Sequence, residues 1–219
     1  HRGVFNNTTI PENSLKAFQK ALSLEFSIEL DVQLTKDDVL VVFHDDNLKR
    51  MTGIDKNVSD VSYEELKEYH LLNTRERIPA FSDVLKLVKD KVMIIVEIKH
   101  TKYIEKICNI LIKELEEYHH YIIQSFDPKI LRFLKKKYPT LTVGYIINKK
   151  HLNKIYTYFL SSNFMIHYSK ADFLSIHKDL LFKKKYQRLK KKYPLFVWTV
   201  KKDDTISNDE YVLICNDLK

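Results

Sequence analysis

The 219-residue sequence predicts an α/β fold in which strands and helices alternate around a parallel sheet closing as a (β/α)8 TIM barrel. Three observations carry this. Strand-period and helix-period patterns alternate regularly beyond residue 78, and several strand candidates are near-continuous apolar runs suited to burial on both faces. No Gly/Ser/Pro-rich linker or internal repeat interrupts the chain, which favours one domain over 1–219 with a small inserted subdomain after the second strand, at about 46–78.

Taken in order, "PENSLKAFQKALSLE" sets Leu15, Phe18 and Leu22 at helical spacing behind a cap at Asn13 or Ser14. "SIELDVQL" alternates, with Ile28, Leu30, Val32 and Leu34 on one side and Glu29, Asp31 and Gln33 on the other, the two-residue period of a strand. Residues 39–43 form a second strand. A two-residue loop at Asp37-Asp38 would pair Lys36 with Val39 and set Asp31 opposite His44, on one face with Glu29. Residues 47–77 are polar and irregular, with a short helix at "VSYEELKEYH", and read as an insertion over the rim.

The rhythm then becomes regular: "SDVLKLVKD" is a capped helix, "VMIIVEIK" a strand, 101–118 a helix and "YIIQSF" a strand. A helix at 127–138, a strand at 141–147, a helix near 149–160, a strand at 171–176 and a helix at 179–192 follow, before the strands "LFVWTV" and "YVLIC". Seven barrel strands after His1, with one that would end at His1, make eight, and the active site of such a barrel lies at the C-terminal ends of its strands.

With 44% hydrophobic residues the chain can bury one large core. No apolar stretch approaches the roughly 20 residues that span a bilayer. A chain beginning at His1 is expected to be part of something longer, so the compartment (cytoplasmic, secreted or vacuolar) stays open. Cys108 and Cys215 are expected to pack as small apolar groups. The net charge of +8 gathers in lysine runs at 135–137, 149–150, 183–185 and 190–192, read as solvated helix faces. Their field would attract an anionic small-molecule substrate and allow weak peripheral contact with anionic lipid. They lack the interleaved aromatics of single-strand binders, so nucleic acid is not expected. Oligomeric state is not legible.

Some polar residues do not belong in buried strands. Glu29 and Asp31 project from one strand, and Glu97 and Lys99 share a face of another. Burying carboxylates without compensation costs several kcal/mol. Two readings answer this: a hard divalent cation, Mg2+ or Ca2+, on three carboxylates, or an ion-pair network of Glu97 with Lys99 and Asp31 with Arg2. Zinc fits poorly, because no Cys/His cluster has its spacing. His1 and His44 end strands and suit the giving and taking of protons near neutral pH. With Arg2 and Lys99 as phosphate-holding cations, the set reads as a phosphoryl-transfer site. Phe126 and Trp198 also end strands; they either stack on a choline headgroup or fill a barrel mouth.

The fragments "HRG", "PENS", "ELDVQLTKD", "VVFHD", "IPAFSDVL", "VEIK", "SF" and "VWTV", in this order, closely resemble the glycerophosphodiester phosphodiesterase family over nearly the whole chain. The resemblance implies a metal-dependent (β/α)8 barrel hydrolysing glycerophosphodiesters to glycerol 3-phosphate and an alcohol such as choline or ethanolamine. It implies Glu29, Asp31 and Glu97 as metal ligands, His1 and His44 as the acid/base pair, and Arg2 and Lys99 as phosphate holders. Glu12 and Asn13 would brace and cap the first helix. The sequence departs from the pattern at Asp38, where the family has glycine, and at Lys201, where it has asparagine. "YVLICNDLK" only loosely resembles the family's close. The rivals are a phospholipase D-like hydrolase of lysophospholipids or sphingomyelin and a non-catalytic anion-binding barrel.

Overall fold

The computed structural model describes residues 1–148, 161–207 and 209–216. Its contacts group into two compact units, His1–Tyr121 and Ile122–Lys219.

In the first unit β1 (Ile28–Leu34) runs parallel to β3 (Ile94–Ile98) and antiparallel to β2 (Leu40–Val42). The parallel register sets Asp31 beside Glu97. The hairpin differs from expectation by one residue. Leu34 faces Leu40, so the turn is longer, and the backbone N–H of Phe43 donates to Asp31 at 3.0 Å, which places Phe43 and not His44 opposite Asp31. The cause lies in Thr35, whose hydroxyl donates to Asp37 Oδ1 (2.6 Å) and accepts from the Val39 N–H (3.0 Å), while Asp38 adopts a left-handed φ of 65°. Lys106 pairs with Asp38 at 2.9 Å. Because β2 ends at Val42, His44 lies beyond the ladder and the pleat no longer dictates its side.

Helix α1 (Leu15–Ser23) is capped by Ser14, whose hydroxyl accepts from the Ala17 N–H, and it buries Ala17, Phe18 and Ala21. The glycine of "HRG" follows from this helix. Gly3 has φ 76°, and a Cβ there would lie 2.9 Å from the Ala17 backbone. After β2, α2 (Lys49–Thr52), a 3-10 turn at Val58–Asp60 and α3 (Tyr63–Leu66) are short. Yet Leu48, Met51, Val58, Val61, Leu66, Leu71 and Ile78 form one buried cluster with Val41 and Phe43. Val41 of β2 and Phe43 just after it are therefore covered by the segment that looks merely polar in sequence. Helix α4 (Phe81–Val88) begins behind Ala80, with no side-chain cap, instead of at Ser82, because Phe81 is fully buried and held within the first turn. Helix α5 (Ile104–Glu114) buries Ile107, Cys108 and Leu111.

The second unit pairs β4 (Tyr121–Ser125, which starts at the unit boundary), β5 (Val143–Ile147), β6 (Phe173–His177), β7 (Leu195–Val200) and β8 (Val212–Cys215), each parallel to the next. Helix α6 (Pro128–Lys137) starts with the Asp127 cap and proline in its first turn. The helix expected near 149–160 lies outside the described residues. An unanticipated helix, α7 (Asn163–Ser169), follows a Ser162 cap. The helix expected at 179–192 is instead a 3-10 turn at Lys178–Leu180 followed by α8 (Lys184–Leu189), with short-range bonds from Leu181 to Lys178 and from Lys183 to Leu180 tightening the first stretch. Gly144 lies under the Phe173 ring, where a Cβ would sit 2.1 Å from ring carbons. The α/β class and the parallel strand order agree with the sequence reading. No helix among the described residues is long and apolar enough to cross a membrane.

Candidate active site

Glu29 and Asp31 alternate with Ile28, Leu30 and Val32 on β1, and Glu97 follows three apolar residues on β3, so the strands carry all three carboxylates into one buried cluster. One oxygen from each lies within 4.8 Å of the others. The loop before α1 closes around them. The Arg2 N–H donates to Glu29 Oε2 (3.1 Å), fixing the backbone beside His1 at the cluster, and the Asn13 amide donates to Asp31 Oδ2 (2.9 Å). "HRG" and "PENS" are clamped together by the Asn13 N–H donating to the Arg2 carbonyl at 3.0 Å. Asn13 is therefore a contact of Asp31, and the capping task falls to Ser14.

The charges do not balance within the cluster. Lys99 Nζ reaches Glu97 (2.7 Å) and Asp31 (3.2 Å), and Arg2 reaches Asp31 (3.6 Å) while also binding Glu12 (2.8 Å). Burial, reinforced by Asp31, pushes the Glu29 carboxyl up to about 7. Burial likewise pushes Glu97 up to about 8, with Asp31 and Glu29 adding to the rise. Burial also opposes ionisation of Asp31, but Lys99, His44, Arg2 and Asn13 together hold it below the ordinary carboxylate range. The ion pairs foreseen in sequence are thus present, and they still leave the carboxylates in excess. An all-oxygen cluster of crowded, buried carboxylates, whose ionised forms lack enough cations nearby, fits a hard divalent cation, which Glu29, Asp31 and Glu97 could hold.

His44 is oriented from behind. Its Nδ1 lies 2.6 Å from Asp45 Oδ1. Despite partial burial, Arg50 and His44 hold Asp45 down to about 2, so its carboxylate can only accept and Nδ1 must carry the proton. In the neutral imidazole this tautomer leaves the lone pair on Nε2. Arg50 also binds Glu12 (2.7 Å), and Glu12 binds Arg2, so a run of alternating charges connects His44 back to Asp31. Asp45 could have been found from "HDD"; Arg50 sits in the irregular segment, where no pattern singles it out. Phe126 and Trp198 belong to the second unit, where they meet edge to face at 5.9 Å, and His177 packs against Trp198 in the same manner at 5.1 Å.

The sequence profile of the glycerophosphoryl diester phosphodiesterase family matches residues 1–216. The chain belongs to that family. Among glycerophosphoryl diester phosphodiesterase relatives, the glycerophosphodiester phosphodiesterase of Caldanaerobacter subterraneus is 39% identical over 156 residues. That match takes in 66% of this chain and 63% of the length of the relative. The Thermotoga maritima glycerophosphodiester phosphodiesterase superposes with a TM-score of 0.71 at 25% identity, over 94% of this chain and 88% of its own. An Oleispira antarctica phosphodiesterase, solved in complex with the product sn-glycerol-3-phosphate, superposes with a TM-score of 0.77 at 21% identity, over 92% of this chain and 83% of its own. This last likeness supports the family fold.

Proposed function

We propose that the protein hydrolyses glycerophosphodiesters, glycerophosphocholine among them, to sn-glycerol 3-phosphate and an alcohol at the carboxylate cluster of its first unit. The observation that carries this is the convergence of Glu29, Asp31 and Glu97 with Lys99, Arg2 and the Asp45-held His44. Membership of the family and the product bound by the Oleispira relative point to the same substrate class. The (β/α)8 barrel, as one domain over 1–219 with an inserted segment at about 46–78, is the fold that goes with this reading.

Glu29, Asp31 and Glu97 would hold a divalent cation, Mg2+ or Ca2+, which when bound supplies Lewis-acid polarisation of the phosphate. Lys99 and Arg2 hold the phosphate oxygens, each anchored by the carboxylates it already touches. His44 Nε2 takes a proton from the attacking oxygen, and His1 gives one to the leaving alcohol. Asp45 keeps the His44 tautomer fixed through this exchange.

The test is release of sn-glycerol 3-phosphate from glycerophosphocholine with Mg2+, with Ca2+ and with EDTA. Release with a divalent cation is expected, falling at least about 100-fold in His44→Ala. No release with either cation overturns the reading.

A further inference from the structure

The first unit holds a cleft of about 720 Å3, within the size range of small-molecule sites. Lys99, which ties Asp31 to Glu97, is part of its wall, so the cleft adjoins the carboxylate cluster through that side chain, while Glu29, Asp31 and Glu97 themselves do not line it. One side is the β1–β2 hairpin with Lys36, and the other is the β3–α5 connection with Lys102 and Lys106. A glycerol phosphate at the carboxylates would leave much of this volume unfilled.

The lining is charged with one sign in excess. Four lysines, at 36, 99, 102 and 106, face two aspartates, Asp38 and Asp46. Lys106 is taken up by Asp38 and Lys99 by the carboxylate cluster. Neither Lys36 nor Lys102 makes a salt bridge among the described residues, although Lys36 lies in the field of Glu65, and the Lys102 ammonium rests 5.0 Å from the Tyr103 ring centre. Helix α5 starts at the same place. Its first bond runs from the Ile107 N–H to the Tyr103 carbonyl (3.1 Å), and Tyr103 offers no side-chain cap, so the amides of Ile104, Glu105 and Lys106 precede the helical ladder. Uncapped amides at the positive end of a helix favour an anion, as do nearby lysines that make no salt bridge.

We propose that this cleft is a subsite for a second anionic group, phosphate or carboxylate, carried by the substrate beyond the bond that is cut. The protein then prefers glycerophosphodiesters of an acidic alcohol over those of choline. The proposal rests on the phosphodiesterase reading of the carboxylate cluster and adds the substrate class. Lys36 and Lys102 touch none of the carboxylates; they act on affinity for the distal charge.

The experiment compares kcat/KM for glycerophosphocholine, glycerophosphoserine and glycerophosphoinositol 4-phosphate in the wild type and in Lys36→Ala/Lys102→Ala. The two acidic substrates separate a carboxylate from a phosphate occupant. For at least one of them the double variant is expected to lose about tenfold, through KM, while glycerophosphocholine turnover stays within about twofold. Equal losses on all three substrates, or no loss on either acidic one, overturn the subsite. If no diester is hydrolysed, the phosphodiesterase reading fails by itself. Calorimetric binding of glycerophosphoinositol 4-phosphate then decides the cleft: weaker binding in the double variant supports it, and equal binding overturns it.

Discussion

Asp45 shows how much of the candidate site lies behind the residues proposed to do the chemistry. It accepts from His44 Nδ1 at 2.6 Å and is itself gripped by Arg50. Asp45→Asn should lower kcat by about 10- to 100-fold with KM little changed, because the imidazole loses its fixed tautomer while the substrate contacts remain. Steady-state kinetics on glycerophosphocholine check this. On α5, burial and Asp83 push Glu114 up to about 7, and its Oε2 is buried with no hydrogen-bond partner among the described residues. A carboxyl whose folded pKa lies above its unfolded value keeps its proton longer when folded, so stability falls as pH rises from about 4.5 to 7 and stays lowered above that. Glu114→Gln should therefore leave stability at pH 4 unchanged and add about 1–2 kcal/mol at pH 8, after allowance for solvent screening of a half-buried group. Urea unfolding at the two pH values measures the difference. Glu29, Asp31, Glu97 and Lys99 were legible because charge is conspicuous in an apolar strand. Arg50 was not, since charge in a polar stretch carries no signal, and Glu12, expected only to brace the first helix, binds Arg2 and Arg50.

Most strands and helices among the described residues followed their hydrophobic periods, whereas the helix expected at 179–192 and the register of the hairpin did not. Periodicity says which residues share a face, whereas register depends on turn chemistry, here the Thr35 hydroxyl and the left-handed Asp38. The capless start of α4 and the separate helix α7 were hidden for a related reason: burial of Phe81 and a Ser162 cap decide them, over stretches too short to show a period. Asp38→Val should cost about 1–2 kcal/mol, since a branched side chain resists the left-handed region, while Asp38→Gly should shift stability by under about 1 kcal/mol as backbone relief offsets the lost Lys106 pair. In the second unit Gly144→Ala should cost about 1–3 kcal/mol, because the Phe173 ring fills the position of the added methyl. Denaturant midpoints for the three variants test both statements.

At the scale of the molecule, eight short fragments in a fixed order were enough to identify the family, and the profile match over residues 1–216 agrees. The division of contacts into two units could not be read, because no linker composition marks residue 121. A cation held by the carboxylate cluster would stabilise the folded chain by mass action. At about 100 times its dissociation constant, Mg2+ or Ca2+ should raise Tm by roughly 5–10 °C in the wild type and leave Asp31→Asn unmoved, as read by calorimetry.

The alternating charges from Asp31 through Arg2, Glu12, Arg50 and Asp45 to His44 have an evolutionary consequence. Reversing or deleting one interior member strands a partner on each side, so single steps away from this arrangement are penalised twice. Glu12 and Arg50, 38 positions apart in the chain, should covary across descendants of this sequence, drifting as a pair or staying put together.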